Sequence, residues 1–206
     1  MIIIKHRINS IKNLKKTNYK YGVEIDLRSD NKSIYLHHDP FKKGESFEKW
    51  LKFYKHKFIV LNVKEEGLEK KIIRLLKKNK ISNFFFHDQT FSSLLKNKKK
   101  TKVSIRYSEF EDIKNRHYIF KSIKWIWIDH FTRFPLSKKY FKFLRKNKVK
   151  ICIVSPELVN IKHLYKIKNL FKNLIRNRIK IDAVCTKKPE IWENLNNENN
   201  SRKTIQ

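Results

Sequence analysis

Between residues 21 and 40 the chain reads YGVEIDLRSDNKSIYLHHDP. Its first half has the alternation of a strand, and side chains along a strand point to opposite faces in turn. Glu24 and Asp26 therefore project together, while Val23, Ile25 and Leu27 face the other way. Ser29-Asp30-Asn31-Lys32 is a turn-rich break, after which Ile34-Tyr35-Leu36 returns as a second short strand ending in His37-His38-Asp39-Pro40. Such a return brings an imidazole close to two acids. Like charges at that spacing repel unless a cation or a shared proton intervenes, so the pair is either a metal site or an acid/base pair with split pKa values. Taken alone, alternating acids most often mark the solvated face of an antiparallel sheet.

The elements that must position this stretch alternate regularly. Strand-like runs fall at 2–6, 23–27, 34–36, 58–63, 83–86, 103–107, 125–129, 151–154 and 181–186. Helical patterns lie between them, around Ile11 and Leu14, at 46–54, 68–76, 91–95, 109–120, 138–147 and 159–178, with a last turn after Pro189. Short apolar strands alternating with helices about eight times predict an α/β fold, a minimal (β/α)8 TIM barrel; an open doubly wound sheet is the alternative, but no Gly-rich turn follows the first strand. A barrel collects its reactive residues at the C-terminal ends of its strands. Those ends are His6-Arg7, Glu24-x-Asp26, Lys64-Glu65-Glu66, His87-Asp88, Arg106 with Glu109, Asp129-His130, Ser155 with Glu157, and Thr186-Lys187.

The 206 residues, 40% hydrophobic, suffice for one core, and we expect a single domain over 1–193 with a disordered polar tail over 194–206. Lys and Arg number 50 against 19 acids, a formal charge of +31. That charge alone would suit a polyanion such as nucleic acid or an anionic membrane surface. The lysines are scattered over every segment, without the basic element interleaved with aromatics of a nucleic-acid module. We therefore expect no dedicated nucleic-acid function and leave anionic membrane association open. Cys152 and Cys185 lie in apolar runs and read as buried packing residues. The opening Met1-Ile2-Ile3-Ile4-Lys5 is too short for a signal peptide and no run reaches a membrane span, so cytoplasmic residence is expected.

His6-Arg7, Glu24-Ile25-Asp26 and His38-Asp39-Pro40, in that order, resemble the HR…ExD…HD pattern of the glycerophosphodiester phosphodiesterase family, within the phospholipase C-like phosphodiesterase barrels. The segment 181–189, IDAVCTKKP, is similar to the DGI-x-TD-x-P run that closes those barrels. The resemblance implies a phosphoric diester hydrolase whose substrate is a small phosphodiester, a glycerophosphodiester or a related headgroup. It implies His6 and His38 as general base and general acid, suited by a pKa near neutrality. Arg7 would hold phosphate oxygens, Glu24 and Asp26 would bind a divalent cation, Mg2+ or Ca2+, and Asp39 and Arg106 would support them.

The chain departs from that pattern at its third main strand, where the family's E-x-K is replaced by Lys64-Glu65-Glu66. Lys64 stands at the ligand position and Glu66 at the lysine position. Either Glu66 reaches the metal from one layer higher, or the Lys64 ammonium takes the cation's place against the phosphate and the site is metal-independent. Segment 41–54 also leads directly into that strand, without the insertion that usually follows HD in the family. Two other functions remain as alternatives: a repurposed barrel that binds a phospholipid or phosphosugar, and a basic nucleic-acid-binding protein.

Overall fold

The computed structural model describes residues 1–30 and 32–204, with the side chains of all of these except 114–117 and 202–204. Ten strands form: β1 (Ile2–Lys5), β2 (Gly22–Ser29), β3 (Ile34–Leu36), β4 (Glu45–Ser46), β5 (Ile59–Val63), β6 (Phe84–His87), β7 (Ser104–Tyr107), β8 (Trp125–Ile128), β9 (Lys150–Val154) and β10 (Ala183–Thr186). The helices are α1 (Ile11–Lys16), α2 (Phe47–Leu51), α3 (Glu69–Lys78), α4 (Phe91–Asn97), α5 (Lys138–Lys146), α6 (Pro156–Val159), α7 (Lys166–Arg176) and α8 (Pro189–Thr204), with 3-10 turns at Lys114–Lys121 and Ile161–Tyr165.

All pairings among β1, β2, β5 and β6 through β10 are parallel, in the order β6-β5-β2-β1-β10-β9-β8-β7. The ends of that row meet through a parallel bridge between Phe86 and Val103, where the Phe86 amide donates to the Lys102 carbonyl at 2.8 Å. Eight parallel strands in a ring with helices outside are the (β/α)8 barrel that the alternation predicts. β3 and β4 form an antiparallel excursion off β2.

Parallel neighbours in register share a face, so one inward set can be followed around the ring. Glu24 pairs with Val60, Val60 with Phe85, Trp127 with Cys152, and Cys152 with Ala183. The inward residues Ile4, Val60, Phe85, Trp125, Trp127, Cys152 and Cys185 fill the lower barrel as one cluster. Val23, Ile25 and Leu27 instead join the larger core between barrel and helices. An inward position therefore turns from apolar at the base to charged at the mouth along a single strand. Gly22 is where β1, β2 and β5 come closest, since a Cβ there would lie 3.1 Å from the Ile4 side chain and from the Phe58 carbonyl.

Two expectations change, and a third falls partly outside the described residues. Residues 194–204 belong to α8, because Trp192 is fully buried and anchors the helix's opening, from which the polar turns propagate; Ile205 and Gln206 lie outside the described residues. The helix read over 159–178 breaks at Asn160, whose extended backbone (φ −151) ends α6 while its side chain accepts from the Lys162 amide. Of the turn read at 29–32, Asn31 lies outside the described residues.

Gly44 governs the β3–β4 excursion, since a Cβ there would sit 1.9 Å from the Leu36 carbonyl oxygen, a backbone atom that cannot swing away. Gly44→Ala is expected to cost about 1–3 kcal/mol, the usual range for overpacking, read as a lower urea midpoint with an unchanged slope.

Candidate active site

β1 ends at Lys5, and the chain turns sharply at Arg7, a non-glycine residue at φ +54. That conformation is strained for a long side chain. It aims the Arg7 amide at the Glu24 carboxylate, 2.8 Å from Oε2, and leaves the guanidinium 3.9 Å from Asp26. His6 hangs over the same acid, with Nε2 3.8 Å from Glu24 Oε2 and Nδ1 buried without a partner. Both acids are at most 1% exposed.

The acids are held from several sides. Asn62, inward on β5, donates to Glu24 Oε1 at 3.0 Å. Asn9 clamps Asp26 reciprocally, donating to Oδ2 at 2.8 Å and accepting from the Asp26 amide at 2.9 Å. Lys64, one inward step above Asn62, brings its ammonium 3.5 Å from Asp26 Oδ1 and donates to Asp88 at 2.9 Å. Asp88, at φ +63, in turn accepts from Arg106 at 2.6 Å, and Arg106 Nε lies 3.2 Å from Asp129. Trp127 donates to the other Asp129 oxygen at 3.1 Å and stacks its ring on His87, 4.2 Å between centroids. Asp26, Lys64, Asp88, Arg106 and Asp129 thus alternate in sign around the mouth.

Burial sets the protonation of the central groups. It pushes Glu24 up to about 7, with Asp26 adding repulsion, against the hydrogen bonds from Arg7 and Asn62. Burial also lowers His6 to about 3, with the charges of Arg7, Lys187, His38 and Lys64 acting the same way. The close His6–Glu24 contact is therefore no ion pair at neutral pH, because the imidazole is neutral there. Burial raises Asp129 to about 6 despite Arg106. It also pushes Asp88 up, but His87, Lys64 and Arg106 outweigh it and hold that acid below its usual value.

His38 reaches the mouth from β3. The Arg28 guanidinium donates twice to its carbonyl, at 3.2 and 2.9 Å, and its Nδ1 lies 2.9 Å from the Asp39 carboxylate. The bond to His38 and then Lys42 hold Asp39 down at about 2, so a proton on His38 faces an anion. His37 turns elsewhere, its Nδ1 accepting from the Asp39 amide.

Of the residues singled out in the sequence, His6, Arg7, Glu24, Asp26, Lys64 and Arg106 are linked by contacts at this mouth, His38 stands near enough for its charge to act on His6, and Asp39 touches His38. Glu66 does not join them. It lies beyond the end of β5, exposed, and accepts from the Thr90 hydroxyl instead of turning inward. Asn9, Asn62, Asp88 and Asp129 were not singled out as site residues. Asn62 could have been found from its parity with Lys64, whereas Asn9 stands in a loop whose path no periodicity gives.

Three of the four carboxylate oxygens of Glu24 and Asp26 accept from nitrogen, and the fourth, Asp26 Oδ1, is buried without a hydrogen bond, with the Lys64 ammonium 3.5 Å away. Among the described residues no group of three or more His, Cys, Asp or Glu side chains could hold an ion. Beside the mouth, a cavity of about 460 Å3 opens between β6 and β7; Asp88 and Arg106 belong to its wall and to the charged ring, and Phe91 and Phe110 line its outer side.

No protein-family model matches the chain, and no curated protein matches it in sequence. Solved structures do match in shape. A glycerophosphodiester phosphodiesterase from Agrobacterium tumefaciens aligns with a TM-score of 0.64 at 11% identity, over 95% of this chain and 99% of that one. An Oleispira antarctica phosphodiesterase in complex with the product sn-glycerol-3-phosphate gives 0.68 at 14%, over 96% and 97%. A glycerophosphoryl diester phosphodiesterase from Parabacteroides distasonis gives 0.65 at 14%, over 91% and 83%. The chain shares the fold of these phosphodiesterases over nearly its whole length.

The two shifted groups predict opposite pH effects on stability. His6, lowered from 6.5 to about 3, contributes stability that is present above pH 6.5 and is lost as pH falls toward 3. Glu24, raised from 4.5 to about 7, contributes stability that is present below pH 4.5 and is lost as pH rises through 7. Urea unfolding across this range is expected to show a shallower acid-side loss in His6→Gln than in the parent, and a smaller decline between pH 4.5 and 7 in Glu24→Gln.

Proposed function

We propose that the chain hydrolyses a small phosphodiester at this mouth without a divalent cation, with Lys64 in the ion's place. The observation that carries the reading is the Lys64 ammonium, aimed inward between Asp26 and Asp88 and within reach of the neutral His6 that it helps depress. Two sources of support are independent of Lys64: the shared fold, and the product complex of the Oleispira antarctica phosphodiesterase, which makes a diester bearing glycerol phosphate the natural candidate.

In this mechanism Arg7 and Lys64 bind the non-bridging phosphate oxygens, the first as a planar fork and the second as a point charge. His6 is kept neutral by burial and takes the proton from the attacking hydroxyl or water as the new P–O bond forms. The bond to the leaving oxygen breaks, and that oxygen takes its proton from His38, which the Asp39 carboxylate orients through Nδ1. Glu24 and Asp26 act through others: Glu24 fixes the Arg7 turn beneath His6, and Asp26 with Asp88 holds the ammonium in place.

Hydrolysis of bis(p-nitrophenyl) phosphate and of a glycerophosphodiester is expected to persist in EDTA. It should fall by about 10^2–10^4 in His6→Ala and in His38→Ala, as for the loss of a general acid or base. Lys64→Ala is expected to lose about 10^2-fold or more, as for removal of one donor that stabilises transition-state charge. Activity abolished by EDTA and restored by Mg2+ would return the site to a metal mechanism. An absence of turnover under both conditions would favour the binding barrel.

A further inference from the structure

Three helix-to-strand turns at the base of the barrel repeat one pattern: Lys78-Asn79-Lys80-Ile81, Lys146-Asn147-Lys148-Val149 and Arg176-Asn177-Arg178-Ile179. Each closes its helix with the same two hydrogen bonds, for example Ile81 N to Leu76 O at 2.9 Å and Lys80 N to Lys77 O at 3.0 Å. In each, the residue after asparagine is left-handed: Lys80 at φ +56, Lys148 at φ +57 and Arg178 at φ +54. Glycine is the ordinary occupant of that position and asparagine its usual substitute. Here asparagine stands one residue too early, and a long basic side chain takes the strained place. The helix dipole explains the cations of the last turn, Lys78, Lys146 and Arg176. It gives no reason to strain the next residue but one. All six basic side chains are exposed.

The other loops on this face continue the charge. Segment 96–102 reads KNKKKTK, and 15–21, 52–58 and 121–124 carry lysines and no acid. The one acid in the loop before β10, Asp182, is paired with Arg145 at 2.7 Å. Two of the lysines are paired with acids of helices, Lys20 with Glu193 and Lys78 with Glu48. The mouth, by contrast, gathers Glu24, Asp26, Glu65, Asp88, Glu109 and Asp129. Basic residues thus crowd the basal loops with few acids among them, whereas at the mouth the acids are interleaved with Arg7, Arg28, Lys64 and Arg106.

We propose that this basal face docks on an anionic phospholipid bilayer and leaves the mouth open to solution. Two features favour lipid over nucleic acid. A groove of about 510 Å3 with aliphatic and polar walls opens on the same face between α7 and α8, lined by Leu174, Ile175, Ile179 and the asparagines of α8 and rimmed by Arg178 and Lys180, with Met1 and Ile175 more than 40% exposed beside it. Basic residues around exposed aliphatic side chains suit a headgroup layer over acyl chains. The aromatics of this face are already partly engaged: the Lys15 ammonium lies over Phe53 at 4.2 Å from its centroid, and Tyr19 meets His56 edge-on, although both rings keep an exposed side.

The test is co-sedimentation of the full chain with vesicles of phosphatidylcholine alone and of equimolar phosphatidylcholine and phosphatidylglycerol, at low and raised salt. Binding is expected on the anionic vesicles only, with release by salt. The triple variant Lys80→Asn, Lys148→Asn, Arg178→Asn relieves the three strained turns, so its melting temperature should not fall. Its partition onto anionic vesicles should fall by about a hundredfold, three basic residues at roughly fivefold each. Equal binding to both vesicle types, or undiminished binding by the triple variant, overturns the proposal, and so does displacement from vesicles by duplex DNA at equal phosphate. Binding is read without substrate, so a chain inactive on diesters yet bound to vesicles sinks the catalytic reading and leaves this one standing.

Discussion

Glu24 and Asp26 are two carboxylates on one side of one strand, shut away from water, and the mouth of the barrel is built to make that tolerable. Removing an ionised carboxylate from water costs several kcal/mol even after relaxation. One ammonium at 3.5 Å, taken at the effective dielectric of about 20 that suits protein sites, returns about 5 kcal/mol. Lys64 can therefore offset one buried charge and not two. It stands against Asp26, and the cost of the second charge falls on Glu24, which holds its proton up to about 7. The amide and side-chain donors around the pair, from Arg7, Asn9 and Asn62, are the remainder of that compensation.

The same burial acts on the imidazole with the opposite sign. The barrel below the mouth is packed with Phe85, Trp125, Trp127 and the two cysteines. It excludes the water that would solvate a cation at His6, and four basic groups around the ring add to the effect. A neutral imidazole and an acid titrating near neutrality follow from one cause, the dry apolar layer beneath them. His38, mounted on an excursion outside the barrel and 40% exposed, escapes that layer and meets the Asp39 anion instead. Two histidines of one chain are thus given different environments by how far each stands from the same core.

Much of this was legible in the sequence because it depends on parity. A period of two along β2 puts Glu24 and Asp26 on one side, and the same period along β5 puts Lys64 there. The alternation of apolar strands with helices gave the barrel, and polar strand ends gave its mouth. Parity failed where pairing stops: Lys64, just past the end of β5 at Val63, is still held to β2 by its amide on the Leu27 carbonyl at 3.0 Å, whereas Glu66 lies beyond that bond and turns outward. Asn9 was illegible for the same reason, as a loop residue placed by the αL turn at Arg7, which no pattern of residue types announces. The charge was misleading in another way. Lysines scattered along the chain can still crowd into neighbouring basal loops, because every second connection of a barrel returns to the same face.

An ammonium proposed in the place of a divalent ion changes what the remaining groups must do. It carries one positive charge instead of two, and it cannot lower the pKa of a bound hydroxyl as a metal does. In the proposed reaction the activation of the nucleophile therefore falls on His6 alone. A base must be unprotonated to work, and burial first, then the charges of Arg7, Lys187 and Lys64, keep His6 so at neutral pH. Those cations depress the base's pKa and so weaken its pull on a proton, while the anionic phosphate they attract would offset them and raise it toward neutrality. Substrate binding would then tune the base: weak in the free mouth, stronger once a phosphodiester lies between Arg7 and Lys64. The exchange of carboxylate for lysine on β5 is thus better read as part of a coupled set of charges than as the loss of a single ligand.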